Sequence, residues 1–156
     1  MEFQIICQLL LATFLGTLIG LEREYKRKEA GLQTYSLVAL GTCLFTIISF
    51  ALFNSFLAET GISFDPSRII QAITIGIGFI GAGVIFRQTS GIVGLTTAAG
   101  LWTTAAIGIA VGAGLYFLAA LTTILAILIL AGFGLLEEKI FKERLQPTRR
   151  PPKRHL

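Results

Sequence analysis

Three groups of residues have types and spacings that could support chemistry. Residues 76–83 read GIGFIGAG and begin with G-x-G-x-x-G, the pattern of a dinucleotide-binding loop. The acidic and basic residues of ERE at 22–24 form a charged cluster, and Asp65 stands three residues before Arg68. Because carboxylates are the protein side chains that bind Mg²⁺, the acids are candidate metal ligands. Which chemistry is available depends on the elements that carry these residues.

The composition is that of a membrane protein rather than a soluble α/β enzyme. Of the 156 residues, 54% are hydrophobic and only 14% are charged, and the mean hydropathy is +0.78. A dinucleotide-binding loop must lie between a strand and a helix of a soluble α/β unit. Residues 76–83 instead lie inside an apolar run, so their glycines are expected to serve helix packing.

Five apolar runs predict an all-α integral membrane protein with five transmembrane helices. A run of about 20 apolar residues is long enough to cross the hydrocarbon core of a bilayer. Residues 95–136 contain no charge and would form a helix about twice the membrane thickness, so the chain is expected to turn at Gly112-Ala113-Gly114. The predicted spans form one transmembrane domain, residues 1–136, and comprise residues 3–21, 35–57, 69–86, 95–113 and 115–136.

Basic residues predict the orientation of the spans, because Lys and Arg near span ends are retained in the cytoplasm. Basic residues follow spans one, three and five, whereas only Arg68 falls on the opposite side. The N-terminus is therefore expected outside and the C-terminus in the cytoplasm. The first span is expected to be retained rather than cleaved as a signal peptide. Residues 137–156 are expected to form a cytoplasmic amphipathic segment and a basic tail that contacts anionic lipid, not nucleic acid.

Small residues recur along three of the predicted spans at helical spacing. In span three, Gly76 and Gly83 share one face, and Gly78 and Gly81 share nearly the opposite face. Such faces allow close backbone contact between helices in lipid, so spans one, three and four are expected to form the packed centre, with spans two and five facing lipid. Alternatively, the small residues line a pathway. The remaining members are Gly16 and Gly20 in span one and Thr96, Gly100, Thr104, Gly108 and Gly112 in span four.

The charged cluster after span one allows a structural and a functional interpretation. If span one continues as a helix, Glu22 pairs with Lys26 and Glu24 pairs with Lys28. Gly31 is then expected to end the helix. In the functional alternative, one of the two glutamates faces the interior of the bundle.

The acids outside the spans suggest a cap and a weak metal hypothesis. Asp65 is expected to cap span three at its N-terminus, with a ligand site as the alternative. Mg²⁺ keeps several waters and uses one or two carboxylates, so Glu22, Glu24 and Asp65 are its candidate ligands, although the predicted topology places them on opposite sides. No arrangement of histidine, cysteine or paired carboxylates could stage catalysis. The chain is therefore expected to be non-enzymatic and to need no cofactor.

Several separated motifs, in order, resemble the membrane domain of the MgtC/SapB family of bacterial inner-membrane proteins. They are GTLIGLEREYKRKEAGLQTYSLVALGTCLF from residue 16, DPSRII from residue 65, GIGFIGAGVIFR from residue 76 and GLTTAAGLWTTAAIGIAVGAGLYFLA from residue 94. The resemblance implies a multi-pass protein linked to growth under magnesium limitation or inside hosts. It also implies functional roles for the glycines of residues 76–83 and for Glu22, Arg23, Glu24, Asp65, Arg68, Thr96, Thr97 and Trp102. Longer members carry a soluble C-terminal domain that is not expected here.

Two functions are consistent with these observations. The first is a non-enzymatic modulator that acts through contacts with itself, as a homo-oligomer, or with another membrane protein. The alternative is a transporter or channel for Mg²⁺ or another cation that works as a homo-oligomer.

Overall fold

The computed structural model describes residues 2–58, 65, 67–89 and 91–134. Within these residues, five helices are long and apolar enough to cross a membrane, which confirms the predicted helical membrane architecture. Residues 135 and 136 of the fifth predicted span and the predicted tail at 137–156 lie outside the described residues. The helices are α1 (Glu2–Tyr25), α2 (Leu32–Ala58), α3 (Ser67–Val84), α4 (Leu95–Gly112) and α5 (Tyr116–Ile127), and α5 continues as a π-helical segment, Leu128–Phe133.

A tight turn joins α4 to α5 at the three residues 112–114. Gly114 adopts a left-handed backbone conformation with φ of 79°, and the amide of Leu115 donates to the carbonyl of Ala110 at 2.8 Å. This is the pattern by which a glycine just after a helix satisfies its last carbonyl groups. The turn makes α4 and α5 antiparallel neighbours.

A short β-hairpin, absent from the all-α prediction, connects α3 to α4. Strands β1 (Phe86–Gln88) and β2 (Gly91–Val93) are antiparallel, and Arg87 pairs with Ile92. The hairpin is followed by Gly94, whose φ is 87° and whose missing side chain leaves room for the carbonyl of Val84. Helix α3 therefore ends at Val84, two residues before the predicted end of span three, because the chain turns back on itself there.

Helix α4 contacts all four other helices, and α2 packs one face against α1 and α4, so the prediction that span two faces lipid is wrong for that face. Helix α2 packs most extensively against α1 and α4, whereas α3 contacts mainly α4. One face of α2 is fully buried and carries small or hydroxylated residues at helical spacing, which is the kind of face that packs closely in lipid. Because its other faces carry bulky Leu and Phe residues, the sequence of α2 did not show this pattern clearly. The buried residues of this face are Tyr35, Ala39, Thr42, Cys43, Thr46 and Ser49.

Glycines on α1 and α4 bring these helices against the buried face of α2. A Cβ atom added at Gly16 would lie 2.7 Å from the carbonyl oxygen of Tyr35, and one at Gly20 would lie 2.8 Å from Cα of Leu32. On α4, a Cβ atom at Gly108 would overlap the hydroxyl of Thr42. Real Cβ atoms do not approach other atoms this closely, so only glycine permits the observed spacing. The core of the bundle is thus the contact of α1, α2 and α4.

Candidate functional site

The end of α1 is closed by an arginine rather than by the predicted glycine. The amide of Lys28 donates to the carbonyl of Arg23, and that of Arg27 donates to the carbonyl of Glu24, both at 3.0 Å. Arg27 takes the left-handed conformation, with φ of 51°, which is normally left to glycine at this position. The expectation that Gly31 ends the helix is therefore wrong, because these two hydrogen bonds already terminate α1 at Tyr25.

Arg23 is the member of the charged cluster that points into the protein. Its side chain is only 2% exposed, its Nε forms an ion pair with Glu22, and its Nη2 donates to the carbonyl oxygen of Leu130 at 3.3 Å. A buried charge is tolerated only when it is paired and hydrogen-bonded, and both conditions are met here. Of the two glutamates that the sequence had offered as the inward residue, Glu22 lies beside Arg23 with its side chain 13% exposed, whereas Glu24 is exposed.

Lys26 reinforces the same cluster from the turn beyond α1. Its Nζ lies 3.0 Å from Oε1 of Glu22, as the predicted spacing of four residues allows, and 3.0 Å from the carbonyl oxygen of Leu130. Leu130 lies in the π-helical segment that follows α5, and π turns within helices recur at functional sites. Two cationic side chains of α1 and its following turn therefore converge on one carbonyl group of the fifth span.

Glu24 and Gly31 connect α1 to the start of α2. The carboxylate Oε2 of Glu24 accepts a hydrogen bond from the amide of Leu32 at 3.1 Å, which satisfies one of the unpaired amides at the N-terminus of α2. A side chain at Gly31 would overlap this carboxylate. The predicted pair of Glu24 with Lys28 is therefore replaced by a helix cap.

Glu29 is a functional candidate that the sequence analysis missed. Its Oε2 accepts a hydrogen bond of 2.6 Å from the hydroxyl of Thr97, in the first turn of α4. This bond lowers the pKa of the Glu29 carboxyl below its usual range, because it stabilises the ionised form. The backbone carbonyl of Thr97 also accepts a hydrogen bond from the hydroxyl of Tyr35 at 3.2 Å. No signal in the sequence could have found the pair, since 68 residues separate Glu29 from Thr97.

Asp65 acts as the N-cap of α3. Its Oδ1 accepts a hydrogen bond from the amide of Ser67 at 2.9 Å, and this interaction with Ser67 lowers the pKa of the Asp65 carboxyl. Asp65 and Arg68 lie at the start of α3, whereas Glu22 and Glu24 lie at the end of α1. An 18-residue helix is about 27 Å long, so the structure does not bring these acids together. Among the described residues, no group of three or more acids, cysteines or histidines could hold a metal ion.

The glycine-rich α3 is open where the sequence predicted a sandwich between two neighbours. Open space surrounds Gly76, Gly78 and Gly83, and only Gly81 meets a neighbour, Ala98 on α4, at ordinary contact distance. Phe79, between these glycines, is 84% exposed. The prediction that both small faces of α3 are packed is therefore wrong for a single chain, in which α4 covers one face.

The remaining predicted residues of α4 divide between its two sides. Thr97, Gly100, Thr104 and Gly108 are buried, and the hydroxyl of Thr104 donates to the carbonyl of Gly100 at 2.9 Å. A Cβ atom at Gly100 would lie 2.5 Å from the hydroxyl oxygen of Tyr35. Thr96 and Trp102 are exposed on the outer surface of the bundle.

Comparison with known proteins agrees with the resemblance found in the motifs. The model of the MgtC family matches residues 9–139. Two relatives are each 42% identical and are covered over 62% of their length: "Putative magnesium transporter YhiD" of Escherichia coli (strain K12), over 85% of this chain, and "Protein SapB" of Bacillus subtilis (strain 168), over 91%. "Protein MgtC" of Brucella abortus (strain 2308) is 42% identical over 74% of this chain and 45% of that protein. The chain thus spans less than two thirds of these relatives, and no solved structure matches it.

Proposed function

The chain belongs to the MgtC family, and on that premise we propose that it is a non-enzymatic module of the bacterial inner membrane. It acts through helix contacts with a second copy of itself or with another membrane protein. The end of the bundle that carries Arg23 and Lys26 faces the cytoplasm, because Lys and Arg near span ends are retained there. The proposal links the module to adaptation to magnesium limitation.

The observation that carries this proposal is the bare surface of α3. Gly76, Gly78 and Gly83 have open space where a side chain would be, although the glycines of α1 and α4 are in tight contact with α2. Helices associate in lipid by backbone approach at small residues, because apolar side chains gain little by leaving lipid tails. Gly76 and Gly83 on one side of α3, and Gly78 nearly opposite, lack a close neighbour in the chain, so α3 is suited to contact with a helix of another chain.

The interior of the bundle favours this function over conduction through a single chain. The hydroxyls of Thr42, Thr46 and Thr104 donate to carbonyl groups of their own helices, so their protons are already used within the bundle. Gly108 of α4 lies directly against Thr42 and Ala39 of α2. A pathway along this interface would require the helices to separate.

Cation transport is the second candidate function. It is favoured by the name of the Escherichia coli relative, "Putative magnesium transporter YhiD". Glu22 and Glu24 would serve as ligands of Mg²⁺ as substrate at one end, and Asp65 at the other. In the structure Glu22 pairs with Arg23 and Lys26, and Glu24 caps α2, so transport would first require these carboxylates to be released.

The first test measures association and transport on the same protein. Purified chains labelled with donor or acceptor fluorophores are reconstituted together in liposomes, and energy transfer is compared for the unchanged chain, Gly78→Leu and Gly132→Leu. Gly132 also has open space around it but lies beyond α5, which makes it a matched control. We expect Gly78→Leu to lose energy transfer and Gly132→Leu to keep it.

The same liposomes report Mg²⁺ influx against empty vesicles. Influx that a Glu22→Gln/Glu24→Gln variant loses, with its helix content unchanged, would support the second candidate. Equal energy transfer in all three chains would exclude self-association through α3, and equal transfer at the background level, without influx, would restrict the proposal to a different membrane protein as the partner.

A further inference from the structure

A groove open to the outside of the bundle runs between α4 and α5. Its volume is about 230 Å³, and its floor is Ile19 of α1, which is fully buried. The α4 wall is built from small residues spaced three or four apart, and the α5 wall continues into the π-helical segment. The wall residues that matter below are Thr96, Ala99 and Thr103 on α4, and Thr122, Ala126 and Leu130 on α5 and its extension.

One end of this groove adjoins the basic end of α1, defined here as Arg23, Lys26, Arg27 and Lys28. Arg23 follows Ile19 by one helical turn on the same face of α1. Arg23 and Lys26 both donate to the carbonyl of Leu130, and Leu130 itself lines the groove. The apolar groove and the cationic cluster are therefore continuous.

The acidic residues near the basic end do not neutralise all of its positive charge, so part of that charge can attract an anion. Glu22 is paired with Arg23 and Lys26. Glu24 accepts from the amide of Leu32, and Glu29 accepts from the hydroxyl of Thr97. Arg27 and Lys28 are exposed in the turn beyond α1. An anion beside this turn would meet two exposed cations, together with Lys26.

We propose that the groove and the basic end together bind one anionic phospholipid of the surrounding bilayer. An acyl chain lies along the groove between α4 and α5, and the phosphate lies beside Lys26, Arg27 and Lys28. Basic pockets between membrane helices bind anionic head groups in this way. A helix of a partner would be held in the groove by apolar contacts alone and would not need the adjoining cations, so the charge favours a lipid.

The test uses Trp102, the single tryptophan of the 156-residue sequence. Trp102 adjoins Thr103 of the groove wall, about 100° away around α4, and is 54% exposed, so a brominated lipid held beside this wall quenches its fluorescence. The protein is reconstituted in equal amounts of phosphatidylglycerol and phosphatidylcholine, with bromine on only one of the two. We expect brominated phosphatidylglycerol to quench more strongly, and the preference to fall about fivefold for each basic residue removed.

The charge variants separate this site from general attraction to the leaflet. Arg27→Gln/Lys28→Gln should lose the preference, whereas the matched double variant Arg87→Gln/Lys139→Gln removes equal charge from positions after spans three and five, on the same predicted side of the membrane, and should keep it. Equal quenching by the two lipids in the unchanged chain would overturn the proposal. So would an equal loss of preference in both double variants.

A second measurement tests the groove itself. Ala99→Phe and Thr122→Leu fill it from opposite walls, and native mass spectrometry counts the phosphatidylglycerol molecules retained by each purified, folded variant. We expect each filling variant to retain one lipid fewer than the unchanged chain. Unchanged retention in both folded variants, or a second protein chain occupying the groove in place of lipid, would contradict the proposal.

Discussion

The hydroxyl of Thr97 donates a 2.6 Å hydrogen bond to the carboxylate of Glu29 and so connects the loop after α1 to the first turn of α4. The backbone carbonyl of Thr97 also accepts a hydrogen bond from the hydroxyl of Tyr35. The loop after α1, the start of α2 and the first turn of α4 therefore meet at one threonine, which is 68 residues from Glu29 and 62 from Tyr35. This contact, with the Arg23 cluster beside it, holds the end of the bundle that carries most of the described charge.

Thr97→Val should lower the stability of the bundle by removing this hydrogen bond while keeping the shape of the side chain. A hydrogen bond to a charged group contributes about 1.5–3 kcal/mol, and the exposure of Glu29 to solvent reduces the expected loss below this range, to about 1 kcal/mol. Thermal unfolding of Thr97→Val, Glu29→Gln and the double variant in detergent measures the coupling. Additive losses would show that the two side chains do not stabilise each other.

The contribution of Glu29 should depend on pH with a defined sign. Because its pKa in the folded protein is lowered from the ordinary value of 4.5, the contribution is fully present above that value and is lost as the pH falls through the folded pKa. The difference in unfolding temperature between the unchanged chain and Glu29→Gln should therefore be constant from about pH 7 to pH 5 and shrink below it. A difference that grows on acidification would contradict this assignment.

Substitution by leucine should lower the stability of the folded chain at Gly108 but not at Gly78. Gly108→Leu forces a side chain into Thr42 and Ala39 of α2, and overpacking of this kind costs about 1–3 kcal/mol or more. Gly78→Leu meets open space, so the folded monomer should keep its thermal stability. Yield and unfolding temperature of the two purified variants are the measurement, and equal loss in both would mean that α3 is packed within the chain.

Arg23→Met should destabilise the bundle more than removal of both members of the ion pair. It leaves Glu22 without the guanidinium that neutralises it, and loss of one partner of a buried pair costs about 3–5 kcal/mol. Since Lys26 still contacts Glu22, we expect about 3 kcal/mol. The double variant Glu22→Gln/Arg23→Met should recover part of that loss in the same unfolding assay. No recovery would show that Arg23 stabilises chiefly through Leu130.

The sequence determined which five segments of the described chain are long and apolar enough to cross a membrane. Span length and hydropathy are local properties, because a chain in lipid must bond its backbone within each helix and needs about 20 apolar residues to do so. The same local reasoning predicted the five helices that the structure shows. Turn and cap residues such as Gly114 and Asp65 act within a few positions of the chain, so they too could be identified in advance.

Only the tertiary structure decided which helix faces pack against each other and which charged side chain is buried. Helix α2 was assigned to the lipid face, although its small and hydroxylated face packs between α1 and α4, and Arg23 rather than Glu24 points inward. The pairing of Glu29 with Thr97 and the bare glycines of α3 were likewise not predictable. The physical reason is that lipid is as apolar as a protein interior. Hydropathy therefore separates spans from loops but cannot tell which side of a span meets protein and which meets lipid.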